Sequence, residues 1–370
     1  MSKPKVFSSG LRFALGAGQL GLDLASEVVH VAGGVHRSFR RQALPDPIAS
    51  RGPADPVYAL VHQGFRLPAR ASGHLASRLP DSDWNGRLLD TRAALNGVFG
   101  DTLARGNNPL ALDMEVLGDP PAQEQPLLLF LHGLCLHEGY WLRGEHHRFC
   151  EQMRRERNLR VAHLRYNTGL SIADNGARLA QLLESLPFDR LMLIGHSMGG
   201  LVSRSALHQA QRQGLRWPER LTHLAALGSP HHGAAAERLG NQANRLLTLT
   251  PWSTPFTRLG GLRSAGIQDL RFGNLLPEDR EGADDPLHVH DPRTPIPVPE
   301  DIAHLYVAAT RSNEMNDMPR LRNDLLVEPP SALALDYPGT SSVRRELLHR
   351  CDHFQLLGHH RLYRLLHDWL

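Results

Sequence analysis

The chain has 370 residues, 41% hydrophobic and 21% charged, with 33 glycines, 26 prolines and 3 cysteines. This composition excludes wholesale disorder and low-complexity architecture, and no apolar run approaches the roughly 20 residues that span a bilayer. Cys135, Cys150 and Cys351 are too scattered for a disulfide framework or a CxxC metal pair, and a formal charge of +3 without a dense basic cluster argues against nucleic acid as a partner.

At the N-terminus, Lys3, Lys5 and Arg12 precede the apolar stretch Phe13 to Leu22, the order of a secretory signal. Gln19 and three glycines interrupt that stretch, Asp23 follows it, and no small-x-small cleavage site is clear, so a retained N-terminus is expected. With thiols sparse and unpaired, a cytoplasmic location is the expectation and secretion the alternative.

Residues 1–105 read as an N-terminal helical extension without recognisable chemistry. Leu20, Leu24, Val28, Val31, Val35 and Phe39 recur every three or four residues, as one face of a helix does. Pro45, Pro47 and Pro53 mark a linker, and Asp55-Pro56 reads as an N-cap with proline at the first helical position, ahead of an apolar stripe at Val57, Leu60, Val61 and Phe65. A third helix is expected over Leu88 to Leu103, stopped by Gly106-Asn107-Asn108. Docking on the neighbouring domain is the expected role of these helices. Peripheral membrane contact, through them or through a lid, is the other.

Residues 106–370 read as a second domain in which strands alternate with helices. Strands are expected at Leu127–Leu131, Val161–Leu164, Arg190–Ile194, Leu221–Leu227 and finally Leu305–Ala309. Helices are expected over His137–Arg157, Ala173–Ser185 and Met198–Gln213. This alternation predicts an α/β fold with a mostly parallel, doubly wound sheet. Between the last two strands, about 232–303, alternation fails. So long a structureless loop is improbable, and an inserted lid carrying Leu246, Leu247, Trp252, Phe256, Leu259 and Leu262 is expected instead.

The strongest chemical signal is Gly195-His196-Ser197-Met198-Gly199, between a buried apolar strand and a helix with apolar spacing. A nucleophile presented on a sharp strand-to-helix turn has a strained backbone, and side chains two residues to either side would collide with neighbouring backbone. Ser197 is therefore the candidate nucleophile. Its attack on an acyl carbonyl requires a base and donors for the oxyanion. The run Phe130-Leu131-His132-Gly133-Leu134-Cys135 leaves a strand into a glycine turn, so the N–H groups of Leu134 and Met198 are the candidate donors.

The base must be chosen among 22 histidines. In this topology it should follow the acid near the C-terminus, where His353 precedes an apolar, helix-like segment. His349, His359, His360 and His367 compete, the last three within that helical stretch. Asp324, in a polar turn after the last long strand, is the candidate acid, with Asp317 as runner-up and Asp352 as a neighbour of the base.

The ordered set His-Gly-Leu-Cys (132–135), Gly-His-Ser-Met-Gly-Gly (195–200), Gly-Ser-Pro-His-His-Gly (228–233), Asn-Asp-Leu-Leu-Val-Glu-Pro-Pro-Ser-Ala (323–332) and Asp-His-Phe-Gln-Leu-Leu (352–357) resembles the α/β-hydrolase superfamily, in its bacterial lipase and esterase branch. The likeness covers about residues 110–370. It implies Ser197 as nucleophile, Asp324 as acid, His353 as base and the Leu134 and Met198 N–H groups as oxyanion hole. His132, Gly133, His196 and His231, within or beside these motifs, are expected along the substrate pocket. One departure is that many relatives carry Asp-Gly at the acid, where this chain has Asp324-Leu325. No cofactor is implied, and no carboxylate cluster suggests a metal. The expected function is a serine hydrolase cleaving carboxylic esters, lipid esters included. The alternatives are an acyltransferase with the same triad and a lipid- or partner-binding protein acting through its N-terminal helices.

Overall fold

A computed structural model describes residues 11–26, 54–77, 86–120, 125–142, 144–234, 264–280, 293–313, 323–337 and 341–370. The lid residues from Leu246 to Leu262, the runner-up acid Asp317 and the N-terminal stripe from Val28 to Phe39 lie outside them. The chain divides into two compact units, residues 1–92 with 100–111, and residues 93–99 with 112–370.

The smaller unit contains helix α1 (residues 11–26), helix α2 (Ala54–Ser77) and most of helix α3 (Gly86–Arg105). Phe13, Leu20 and Leu24 of α1 are buried, as the spacing predicts. Polar side chains tie the helices to one another and to the turn after α3. Ser72 Oγ donates to Leu15 O (2.8 Å), Gln19 Nε2 to Gly106 O (2.7 Å) and Asn108 Nδ2 to Gly16 O (2.9 Å). Helix α2 starts one residue before Asp55, so Pro56 stands in the first turn, where its missing N–H leaves no bond unmade. Helix α3 is kinked at Phe99 (φ −128°, ψ 18°).

The larger unit is built on a seven-stranded sheet in the order β1-β3-β2-β4-β5-β6-β7. The strands are β1 (Glu115–Gly118), β2 (Leu127–Leu131), β3 (Arg160–Arg165), β4 (Leu191–His196), β5 (Leu221–Leu227), β6 (Ala303–Thr310) and β7 (Val343–His349). All pairings are parallel except the β1–β3 edge. Every residue of β2 is buried, so its five apolar side chains serve both faces of the sheet. Leu128 and Phe130 join one cluster with Phe149 and Met153 of helix α4 (Glu145–Arg157) and Leu362, Tyr363 and Leu366 of helix α9 (His360–Trp369). The alternating residues face the other way, where helices α5 (Ile172–Ser185) and α6 (Met198–Arg212) pack together. Full burial of each such side chain stabilises by roughly 1.5–3 kcal/mol. This is an α/β fold with a mostly parallel, doubly wound sheet, as the alternation predicts.

Two expectations are corrected. His137–Arg157 is not one helix but a 3₁₀ turn at Glu138–Tyr140 followed by α4. His137 Nδ1 accepts the Gly139 N–H (3.1 Å), and Gly144 turns the chain at φ 53° before α4 begins. The strand at β6 is not the last. Strand β7 pairs alongside it, but its Arg344, Arg345 and Glu346 give it no apolar run, and charges of this kind suit an edge strand. Of the inserted segment, helix α7 (Ala265–Phe272) is folded onto the body: Ile172 N donates to Asp269 Oδ2 (2.8 Å) and Ser205 Oγ to Leu275 O (2.6 Å). A short helix α8 (Pro329–Ala332) lies between β6 and β7. Among the described residues no helix is long and apolar enough to cross a membrane.

Candidate active site

Ser197 stands between the last residue of β4 and the first of α6, at φ 54° and ψ −121°. This is a backbone conformation that L-residues rarely adopt, and one costing of order 1–3 kcal/mol. The turn is held by Ser197 N donating to Leu227 O of β5 (2.8 Å) and by Gly200 N donating to Ser197 O (3.1 Å). The sharpness of the turn explains Gly195, since a Cβ there would lie 2.3 Å from the backbone of Gly199 and Gly200. Gly133 meets the same constraint from the neighbouring loop: a Cβ would stand 2.9 Å from Ser197 Cβ.

His353 follows β7 in a buried turn. Its Nδ1 lies 2.7 Å from Asp324 Oδ2, and its backbone N–H donates to Asp324 O (2.9 Å), so side chain and main chain fix the same pair. The other carboxylate oxygen, Oδ1, accepts the N–H groups of Leu326 (2.9 Å) and Val327 (2.7 Å). Burial alone would raise the Asp324 carboxyl. The electrostatic attraction of the adjoining His353 and these hydrogen bonds outweigh it and hold the group below the ordinary carboxylate value. An ionised Asp324 accepts the proton on Nδ1, which leaves Nε2 as the lone-pair nitrogen of the ring.

Ser197 and His353 line one cleft. Gly133 and Leu134 complete its polar edge, Leu326 and Phe354 form part of its apolar wall, and Leu270 of the inserted segment reaches it. The N–H groups of Leu134 and Met198 meet no acceptor among the described residues. Met198 N–H belongs to the unsatisfied first turn of α6, where the helix dipole favours negative charge.

The remaining expected pocket residues divide. His196 lines the cleft, but its Nε2 donates to His353 O (3.0 Å) and its ring leans on that of His353 at 4.7 Å. Burial pushes this imidazole down to about 3, so it is neutral and serves to position His353. His132 does not line the cleft. Its ring stacks on Tyr166 at 4.5 Å, and its carbonyl accepts the Tyr166 hydroxyl (2.6 Å). His231 is also set back from the cleft, with Nδ1 3.1 Å from Arg204 Nη1 and the ring edge-on to Tyr306. Its neighbour His232 contacts Asp336 Oδ2 at 3.2 Å. Of the competing candidates, Asp352 caps the turn by accepting the N–H groups of Phe354 and Gln355 through Oδ1. His349 ends β7, and His359, His360 and His367 belong to the C-terminal helix and its cap.

Sequence reasoning missed Tyr166 and Thr168. Thr168 Oγ1 accepts the Cys135 N–H (3.1 Å), and with Tyr166 it holds the 132–135 turn in place. The signal was a polar Tyr-Asn-Thr-Gly run leaving a buried strand, beside the glycine turn of the adjacent strand.

Residues 179–250 match the family described as a PGAP1-like alpha/beta domain. No curated protein matches the chain. Among solved structures, the chain is similar to Bacillus licheniformis lipase BlEst2 in mature form, with 19% identity over 69% of this chain and 97% of that one and a TM-score of 0.44. It is also similar to naproxen esterase (carboxylesterase NP) from Bacillus subtilis, with 15% identity over 70% and 87% and a TM-score of 0.40. Alpha/beta hydrolase domain-containing protein 10 from mouse shows 14% identity over 68% and 89%, with a TM-score of 0.39.

Proposed function

We propose that the protein is a serine hydrolase of carboxylic esters, with catalysis in the larger unit. The observation that carries the reading is the buried His353–Asp324 pair at 2.7 Å, opening on the same cleft as a serine held at positive φ. Nε2 of His353 takes the Ser197 proton as the hydroxyl attacks the ester carbonyl. Asp324 holds the ring in the Nδ1–H tautomer and stabilises the imidazolium. The tetrahedral oxyanion is met by Leu134 N–H and Met198 N–H, each donor of this type worth roughly 3 kcal/mol. His353 then gives its proton to the leaving alcohol, and water activated by the same nitrogen releases the acid from Ser197.

No step needs a cofactor. The apolar wall at Leu326 and Phe354 suits an acyl chain, so hydrophobic carboxylic esters are the proposed substrate class. A fluorophosphonate probe is expected to label wild-type protein at Ser197 and leave Ser197→Ala unlabelled. Equal labelling of the variant would overturn the reading. In a p-nitrophenyl ester series, turnover is expected to rise from acetate to medium-chain acyl groups, and strict preference for acetate would refute the apolar acyl site.

A further inference from the structure

A second cluster of reactive side chains lies away from the cleft, between α4 and the sheet. His146 and Cys150 stand one helical turn apart on α4 and share a face. His163, on β3, points at them from the sheet. His146 Nε2 is 2.9 Å from His163 Nε2 and 3.2 Å from Cys150 Sγ, and the three ligand atoms all lie within 4.8 Å of one another. The three residues are buried, and Phe130, Trp141 and Tyr363 wall the cluster with aromatic rings.

Hydrogen atoms cannot serve this arrangement well. If His146 Nε2 accepts, two donors converge on one lone pair. If it donates, its single proton serves one neighbour and leaves the other. Either way Nδ1 of the same ring is buried without a partner among the described residues. One cation between the three atoms would use all three lone pairs at once.

We propose that His146, Cys150 and His163 form a binding site for a cuprous ion. The ligand set is one thiolate and two imidazoles, which suits a soft cation. Among the described residues the group holds these three donors and no carboxylate, which makes a trigonal site, where zinc asks for a fourth ligand. Charge decides in the same direction. A cuprous ion and one thiolate sum to zero inside an apolar core, whereas zinc would leave an uncompensated positive charge there.

Binding replaces the Cys150 S–H bond by an S–Cu bond and releases the proton to solvent, with no change in the oxidation state of copper. Metal–nitrogen bonds of about 2.0 Å at trigonal angles separate the donors by about 3.5 Å, so His146 Nε2 moves about half an ångström from each neighbour, while Cys150 Sγ and His163 Nε2, which lie within 4.8 Å of each other, settle to that spacing. The imidazoles are ready for this role. Burial, the largest cause for each, pushes His146 down to about 3 and His163 down to about 4, leaving both neutral, while burial pushes the Cys150 thiol up to about 12, so the thiolate forms when the ion arrives.

The test is independent of esterase activity. Full-length protein is unfolded, then refolded without oxygen in cuprous ion buffered by bathocuproine disulfonate, and the folded fraction is analysed for metal. The expected result is one copper per chain, with X-ray absorption reporting one sulfur and two nitrogen neighbours. Cys150→Ala and His163→Phe, each checked for native circular dichroism, are expected to bind at least about 100-fold more weakly. Folded wild-type protein that retains no more copper than Cys150→Ala would overturn the site, as would retention of zinc over copper when both are offered. Should Cys150→Ala fail to fold, His163→Phe decides by the same comparison, and if both fail, the absorption spectrum of the wild type does.

Discussion

Ser197 holds its hydroxyl on a backbone that an alanine would strain as much as a serine. Ser197→Ala is therefore expected to end ester turnover with little change in stability. Ser197→Gly is expected to end it while raising stability by about 1 kcal/mol over the alanine variant, since glycine accepts φ 54° without a Cβ penalty. Paired urea titrations of the two variants check this, and a glycine variant no more stable than alanine would refute stored strain at the turn. Asp324 divides its work between two oxygens, one on the imidazole and one on the backbone of Leu326 and Val327. In Asp324→Asn an amide can keep one role, but its NH2 cannot accept the His353 proton. The expected result is a folded protein whose kcat falls by about 10⁴-fold. A fall of less than tenfold would remove Asp324 from the mechanism.

At the scale of elements, the turn between β6 and β7 carries the clearest anomaly. Leu325 sits at φ 90°, in the left-handed region that favours glycine. The residue is 38% exposed and joins none of the buried apolar clusters of the described residues, so relief of the backbone strain outweighs the contacts that its removal forfeits. Leu325→Gly is expected to stabilise by about 1 kcal/mol and to leave turnover within a factor of two, read by thermal melts and a standard ester assay. Destabilisation would mean that the leucine supports the acid turn by packing. The same segment shows what was legible in the chain and what was not. Buried strands β2, β4, β5 and β6 announce themselves because both of their faces are apolar, and the Gly-x-Ser-x-Gly turn because crowding dictates its glycines. Strand β7 is hidden because an edge strand mixes charge with apolar residues. Asp324 and His353 could be ordered along the chain, but their contact depends on β7 returning the polypeptide beside β6. The cluster on α4 was out of reach for a similar reason, since His163 joins His146 and Cys150 only through the packing of helix on sheet.

At the scale of the whole molecule, buried histidines set the response to acid. Burial depresses His132, His163 and His304 to about 4, His146 and His196 to about 3, and His231 well below its ordinary value. A group whose folded value lies below its unfolded value of about 6.5 contributes stability above that value and loses it as the pH falls toward the folded one. Below about pH 6.5 the unfolded chain binds more protons at these sites than the folded chain does, so stability falls as the pH falls and the protein is expected to unfold in acid before its carboxylates protonate. Urea melts from pH 8 to pH 4 read the slope, and a midpoint unchanged to pH 4 would refute it.

Residues 93–99 belong to the larger unit although the chain on either side of them belongs to the smaller. Within the larger unit this short piece of α3 acts as a shim under the 132–135 loop. A Cβ on Gly97 would stand 2.1 Å from Cys135 Sγ, the Gly97 carbonyl accepts the Ser264 hydroxyl (2.6 Å), and Asn96 Oδ1 accepts the Leu112 N–H (2.8 Å). An engineer who trimmed the gene at residue 105 to isolate a minimal catalyst would pull that shim out along with the helices, and would mistake a collapsed loop for evidence that the leading segment takes part in the chemistry.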